Sequence, residues 1–130
     1  MAKLKHICRC FEGEHDFKAY SKSGSSAKTT VRTIYSVSVE ETSYAYGTRV
    51  DIRVTGNGFL YNMVRTLVGT ALYYAQGVLT EEDVRRSLDG GDRNSVGKTM
   101  PARGLTLESV EYADFTVLSQ NRFNFNNNQR

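Results

Sequence analysis

Long hydrophobic runs, cysteine and proline are all scarce in this sequence of 130 residues. No apolar run approaches the roughly 18 residues of a membrane-spanning helix, and the first residues lack the hydrophobic stretch of a signal peptide. The two cysteines, Cys8 and Cys10, are too few for a disulfide framework or a complete zinc site, so we expect two buried or half-buried thiols and no metal. These absences predict a cytosolic protein without a membrane partner.

The composition is that of one soluble domain with a mildly basic surface. Hydrophobic residues make up 39% and charged residues 24%, which separates the chain from disordered and membrane proteins. A net charge of +3 is compatible with nucleic acid but does not establish it. The basic residues concentrate in two groups, namely Lys18, Lys22, Lys28 and Arg32, and then Arg85, Arg86, Arg93, Lys98 and Arg103. Charge alone leaves open whether they flank a groove or are solvated beside nearby acids.

Hydrophobic periodicity divides the first half of the chain into a helical part and two strands. Residues 4–23 have near-helical spacing interrupted by Gly13, which predicts two short helices or one broken helix. Residues 29–40 are rich in Val, Thr, Ile and Tyr and predict a strand. In a second strand at 49–55, one set of alternate residues faces a core and the other faces water or a ligand. The core set is Val50, Ile52 and Val54, and the other set is Arg49, Asp51, Arg53 and Thr55.

The second half predicts two helices, a third strand and a polar tail. Apolar residues recur with helical spacing over 60–76, and Gly77 is expected to end that helix. Thr80 and the acids that follow it predict the start of a second helix, which Gly90 ends. Residues 104–112 predict a strand with a bulge near Ser109, and the Asn-rich residues 115–130 predict a flexible tail after a domain of residues 1–114. This order indicates an α+β fold, an antiparallel sheet with helices packed on one face.

Four motifs occur in order across about residues 4–112. They are GEHDFKAY at 13–20, TVRTIY at 30–35, GNGFLYNMVR at 56–65 with LVG at 67–69, and GKTMPARGL at 97–105. Together they resemble the C-terminal half of the tRNA pseudouridine synthase A family. The resemblance implies half of a pseudouridine synthase fold and an isomerase that converts uridine to pseudouridine in the anticodon arm of tRNA, without a metal or organic cofactor.

The same resemblance implies that the catalytic aspartate is elsewhere. In the family it belongs to a motif similar to GRTDAGVHA in the N-terminal half, and no such motif occurs in these 130 residues. The implied partners are therefore tRNA, the N-terminal half of the same enzyme and, for full-length chains, a second copy in a homodimer. We expect the 130-residue chain alone to be inactive. The alternative from another functional class is a stand-alone RNA-binding or assembly module without catalytic activity.

The resemblance assigns Arg65 as the partner of the missing aspartate. A carboxylate enclosed in a pocket needs a cation nearby to stay ionised, so an arginine at the border of a buried helix face suits this role. The simpler interpretation is a helix arginine that reaches a local carboxylate. In the family interpretation, Arg65→Ala is expected to leave the stability of the isolated chain nearly unchanged.

The remaining candidates divide into pocket and RNA-binding residues. Gly58, Phe59, Leu60, Tyr61 and Leu105 are expected to line the uracil pocket, although Phe59 and Leu60 could equally be ordinary core and the glycines ordinary turn formers. Arg32, Arg53, Arg93 and Lys98 are expected to contact phosphates, because such contacts supply affinity with little base information. The adjacent His15 and Asp16 make an incomplete metal site, so a structural or RNA-facing role is expected.

Overall fold

The computed structural model describes residues 1–21, 29–45, 47–91, 96–101 and 103, and the backbone of 105–110 and 119–126. The helices are α1 (Ala2–Cys8), α2 (Met63–Ala75) and α3 (Glu81–Ser87), with short 3-10 turns at Arg9–Phe11 and Lys18–Tyr20. The strands are β1 (Gly13–Asp16), β2 (Val31–Tyr44), β3 (Gly47–Gly56), β4 (Leu105–Val110) and β5 (Ser119–Asn126). Among the described residues, no helix has the length and apolar character needed to cross a membrane.

The strands form one sheet in the order β1-β2-β3-β5-β4. Every neighbouring pair is antiparallel. The α+β class with an antiparallel sheet is therefore confirmed. The bulge predicted near Ser109 is also confirmed, because the pairing of β4 with β5 shifts register between Leu107 and Ser109.

The main hydrophobic core lies between the helices and one face of the sheet. Val50, Ile52 and Val54 of β3 are buried in the same cluster as apolar residues of α1 and α2. On the opposite face of β3, which was predicted to face water or a ligand, Asp51 is only 6% exposed and so does not face water. Arg49 compensates the buried carboxylate, because its Nε and Nη2 donate to Asp51 at 3.1 and 2.9 Å.

The first segment contains a strand where the spacing predicted only helices. β1 has no apolar residue and pairs with the beginning of β2, from Gly13 opposite Ile34 to Asp16 opposite Val31. It forms because β2 offers an edge for pairing, which spacing within four residues cannot reveal. The predicted helical apolar positions still reach the core, since Phe11, Phe17 and Tyr20 are fully buried.

The two central helices follow the predicted signals with a shift at the start of α2. Residues 60–62 form a turn in which the N–H of Met63 donates to the carbonyl of Leu60 (3.0 Å), so α2 begins three residues after the predicted position. Gly77, with φ of 82°, follows the end of α2 as predicted. In α3 the N–H of Asp83 donates to Thr80 Oγ1 (3.1 Å) and the N–H of Thr80 donates to Asp83 Oδ2 (2.9 Å), which makes a complete capping box.

The structure differs from the expected flexible tail over residues 119–126, which form β5. This strand lies between β3 and β4, with Phe123 opposite Ile52 and Phe125 opposite Val50. The alternation of Phe123 and Phe125 with asparagines is the strand pattern that the Asn-rich composition obscured. The division of the chain after residue 114 stays a prediction.

Candidate functional site

The segment after β3 is held against β2 by two hydrogen bonds of Asn57 and by close packing at Gly56. The N–H of Asn57 donates to the carbonyl of Thr33 (3.0 Å), and Asn57 Oδ1 accepts from the N–H of Thr33 (2.9 Å). A Cβ on Gly56 would lie 2.7 Å from the same carbonyl oxygen, so only glycine fits without displacing β2. The backbone of Gly56 therefore lies in direct contact with that of β2.

The candidate pocket residues 58–61 occupy different environments. Phe59 is half-buried, with its ring 3.5 Å from where a Cβ of Gly56 would stand. Leu60 is 5% exposed and belongs to the hydrophobic core, as the simpler interpretation has it, whereas Tyr61 is 62% exposed. Leu105 begins β4, and its side chain lies outside the described part of the chain. The pocket role of these residues stays a prediction.

Arg65 lies in the first turn of α2, half-buried, with its guanidinium held between two neutral acceptors. Its Nε donates to the carbonyl of Met100 at 2.6 Å, and its Nη1 donates to Asn62 Oδ1 at 2.8 Å. Among the described residues no carboxylate pairs with Arg65, so the interpretation of an arginine that reaches a local acid is not what the structure has. Two of the five N–H donors are used and three remain for an acceptor from outside these residues.

The loop at 96–101, which carries Met100, packs directly on α2. A Cβ on Gly69 would overlap the carbonyl oxygen of Lys98, and a Cβ on Gly97 would lie 2.5 Å from the carbonyl oxygen of Gly69. Backbone therefore touches backbone at this crossing, which requires glycine at both positions. The N–H of Gly97 donates to Thr70 Oγ1 (2.9 Å), and the hydroxyls of Thr66 and Thr99 share a hydrogen bond (2.8 Å).

These contacts bring two of the four motifs together around one arginine. GNGFLYNMVR provides Asn62 and Arg65, and GKTMPARGL provides the carbonyl of Met100. The sequence indicated Arg65 but neither Asn62 nor Met100. An asparagine directly before a helix was a visible signal, although it suggests an ordinary cap. Nothing in the sequence indicates a backbone carbonyl that is brought close from 35 positions away.

The described structure shows the environment of three of the four candidate RNA-binding residues. Arg32 lies beside the candidate pocket, its Nε 3.7 Å from where a Cβ of Gly58 would stand. Its Nη1 donates to the carbonyls of Thr29 and Val31 at 2.9 and 2.7 Å. Lys98 is exposed on the 96–101 loop, and Arg53 is half-buried in β3. Arg93 lies outside the described residues, so the set stays a prediction.

Two members of the later basic group are matched by acids on their own helix. On α3, Arg85 pairs with Glu81 (2.7 Å) and Arg86 pairs with Asp83 (2.7 Å). Exposed pairs of this kind contribute little to stability, but they neutralise the local charge. For these two residues the structure favours the interpretation of solvated charges beside acids over that of a groove wall.

His15 and Asp16 have structural contacts. His15 Nε2 lies 2.8 Å from the carbonyl oxygen of Glu12, and its ring packs edge-on against Phe17. Asp16 Oδ1 accepts from the N–H of Lys18 (3.1 Å) and from Thr30 Oγ1 (2.6 Å). The N–H of Asp16 donates to the carbonyl of Leu88 (3.1 Å), which joins β1 to the end of α3.

Both cysteines are free thiols, Cys8 buried and Cys10 half-buried. Burial raises the pKa of Cys8 to about 12, with smaller contributions from Glu12 and Cys10. Burial also raises the pKa of Cys10, which is half-buried. Within the described ranges, no group of three His, Cys, Asp or Glu side chains is close enough to hold a metal ion.

Comparison with known proteins identifies the family. The profile of a family described as tRNA pseudouridine synthase matches residues 7–113, which include the Arg65 site and strands β1 to β4. The chain therefore belongs to the tRNA pseudouridine synthase family.

Curated relatives agree with this assignment. The protein named tRNA pseudouridine synthase A 2 of Clostridium perfringens (strain 13 / Type A) is 42% identical over 109 residues, 84% of this chain and 43% of that protein. Proteins named tRNA pseudouridine synthase A are 44% identical over 109 residues in Clostridium botulinum (strain Eklund 17B / Type B), and 40% over 112 residues in Ruminiclostridium cellulolyticum. The chain thus spans less than half the length of these relatives.

Proposed function

We propose that this chain supplies the active-site arginine, one wall of the uridine pocket and part of the RNA-binding surface of a tRNA pseudouridine synthase. The enzyme isomerises uridine to pseudouridine in the anticodon arm of tRNA. The catalytic aspartate comes from a GRTDAGVHA-like motif, which is absent from these 130 residues and belongs to the N-terminal half of the enzyme. The full-length protein acts as a homodimer and needs no metal or organic cofactor.

The observation that supports this function is the state of Arg65. Its guanidinium is half-buried and fixed by two acceptors, yet both acceptors are neutral, so within the described part of the chain its charge is not matched by an acid. An arginine that only stabilises its own helix would be expected to pair with a carboxylate or extend into solvent. A fixed, half-buried and unmatched cation is suited to an anionic group that arrives from elsewhere.

The reaction explains why such a cation is needed. The uracil must be flipped out of the RNA, detached from its sugar, rotated and rejoined through carbon, within a pocket that excludes water. Burial in that pocket raises the pKa of a carboxylate, whereas an adjacent guanidinium lowers it. Arg65 thus keeps the catalytic aspartate ionised, while Gly58, Phe59, Leu60, Tyr61 and Leu105 line the space for the base.

The RNA is held mainly by contacts to its phosphates. Lys98 is exposed two residues before Met100, on the loop that also fixes Arg65. Arg32 stands beside Gly58, at the candidate pocket. Together with Arg53 and Arg93 these cations hold the tRNA backbone, which gives affinity that falls steeply with salt and depends little on sequence.

The test is pseudouridine formation in tRNA by the full-length enzyme, in which this chain is joined to the segment with the catalytic aspartate. Arg65→Ala is expected to nearly abolish turnover. Arg65→Lys is also expected to be largely inactive, because an ammonium cannot reproduce the two-pronged contact of a guanidinium. Arg86→Ala is the control, since Arg86 is exposed and pairs with Asp83 on α3.

Near-normal turnover by Arg65→Ala would contradict the proposal. The purified 130-residue chain alone is expected to form no pseudouridine, and formation by this chain would contradict the role given to the missing aspartate. RNA binding without turnover in the full-length protein would instead support the alternative, an RNA-binding or assembly module.

A further inference from the structure

Asn62, which stands directly before α2, has an unusual backbone conformation and an unusual use of its side chain. Its φ is 66°, and it is the only non-glycine residue with positive φ in the described part of the chain. It occupies the N-cap position of α2, yet its side chain accepts no hydrogen bond from the first turn of the helix. Its Oδ1 instead accepts from Nη1 of Arg65 at 2.8 Å.

The side-chain contact of Asn62 does not cap the helix. An asparagine at the N-cap normally accepts from a backbone N–H two or three positions later, and that contact is absent here. The left-handed conformation is unfavourable for any residue with a Cβ, although asparagine tolerates it better than most. The positive φ of Asn62 fits the turn of residues 60–63, in which the N–H of Met63 donates to the carbonyl of Leu60. The side chain, however, bonds Arg65 rather than the first turn of the helix, which indicates that it acts through that arginine.

The two acceptors of Arg65 come from different segments of the chain. Asn62 belongs to the same turn as Arg65, whereas the carbonyl of Met100 belongs to the loop that packs on α2 through Gly69 and Gly97. A guanidinium bound at Nε and at Nη1 has its plane and its rotation fixed. Within the described residues Nη2 donates to no acceptor, so the side of the guanidinium that bears it stays available.

The chemistry of the acceptor is as important as its position. An amide oxygen orients the guanidinium without adding negative charge, whereas a carboxylate in the same place would neutralise it. An arginine that must bind an incoming carboxylate needs orientation without neutralisation. Asn62 provides this combination.

We propose that Asn62 is a positioning residue, which holds Arg65 with its free donors directed to the catalytic carboxylate and leaves its charge unmatched. This inference rests on the proposed function, in which that carboxylate comes from the rest of the enzyme.

Two substitutions in the full-length enzyme separate the effect of orienting Arg65 from the effect of neutralising its charge. Asn62→Gly keeps the positive φ and removes the amide, whereas Asn62→Asp keeps an acceptor of the same size and adds a charge.

The measurement is kcat and KM for tRNA together with the melting temperature of each variant. Asn62→Gly is expected to lower kcat roughly 10- to 100-fold with KM and melting temperature nearly unchanged, because misplaced catalytic groups reduce the chemical step. Asn62→Asp is expected to lower kcat further, since its carboxylate pairs with Arg65. A merely structural role would lower stability and would not act on kcat alone.

Arg65→Ala, measured in parallel, separates this inference from the proposed function. If Arg65→Ala retains turnover, the proposed function fails. If Arg65→Ala is inactive while Asn62→Gly has normal kcat, or changes only KM, the positioning role is overturned and the proposed function stands. Wild-type turnover by Asn62→Asp would also overturn the inference, because a neutral acceptor would then be unnecessary.

Discussion

At the crossing of α2 with the 96–101 loop, we predict that Gly69→Ala destabilises the protein, although alanine has a higher helix propensity than glycine. In Gly69→Ala the new Cβ would overlap the carbonyl oxygen of Lys98 and lie 2.8 Å from its carbonyl carbon. These are backbone atoms, so a side-chain rotation cannot relieve the overlap. The loop must move away from α2, and the carbonyl of Met100 must move away from Arg65.

The magnitude follows from two opposing effects. Replacing a glycine inside a helix by alanine stabilises the helix by about 1 kcal/mol. Displacing the loop weakens the hydrogen bonds that hold it on α2, among them those that join Arg65 to Met100, Thr66 to Thr99 and Thr70 to Gly97. At about 0.5–1.5 kcal/mol each, their loss outweighs the gain in helix propensity. We expect Gly69→Ala to lower the free energy of unfolding by about 1–3 kcal/mol.

The assay is urea unfolding of the 130-residue chain followed by circular dichroism, with Gly77→Ala as the control. Gly77 has φ of 82° and would have nothing within 4 Å of an added Cβ, so its substitution costs about 1–2 kcal/mol through conformation alone. In the full-length enzyme, Gly69→Ala is expected to lower turnover by more than its loss of stability explains, because the loop that holds Arg65 is displaced. Gly77→Ala is not expected to do so. A Gly69→Ala chain about 1 kcal/mol more stable than wild type would refute the reasoning, since helix propensity would then act alone.

The remaining predictions concern a cap, a thiol and a phosphate contact. Thr80→Ala is expected to lower the free energy of unfolding by about 0.5–2 kcal/mol in urea melts, with Thr80→Ser as the control that keeps the hydroxyl. Burial raises the pKa of Cys8 from 9.0 to about 12. The contribution of the neutral, buried thiol to the free energy of unfolding is therefore complete below pH 9 and is lost as pH rises toward 12. Stability should fall there by about 1.4 kcal/mol per pH unit, and Cys8→Ala should lose this part of the slope. Lys98→Ala is expected to reduce the slope of log RNA affinity against log salt by about 1, whereas Arg86→Ala, whose charge is matched by Asp83, should leave it unchanged.

Features that depend on neighbouring residues were predictable from the sequence. The helix start at Thr80, the end of α2 before Gly77 and the bulge near Ser109 all follow from residues within a few positions. Of the apolar residues with helical spacing at 60–76, those at 63, 64, 67, 68 and 71 are buried as expected, but Thr66, Gly69 and Thr70 are buried as well. The four motifs, in order, were sufficient to indicate the family.

Features that depend on distant partners were not predictable. β1 has no periodicity of its own and exists because β2 pairs with it, and β5 was hidden by asparagines between its phenylalanines. The expected stability of Arg65→Ala changes for the same reason. The sequence suggested almost no effect, whereas the bonds to Met100 and Asn62 imply a loss of about 1–3 kcal/mol in the isolated chain.

The contact between Asp16 and the end of α3 has a consequence for how the protein behaves in concentrated solution. β1 lies at one edge of the sheet, where unpaired backbone groups can recruit strands of other molecules. At Asp16 the N–H that a foreign strand would use already donates to the carbonyl of Leu88. The end of α3 thus covers one end of this short edge and blocks the addition of another strand there.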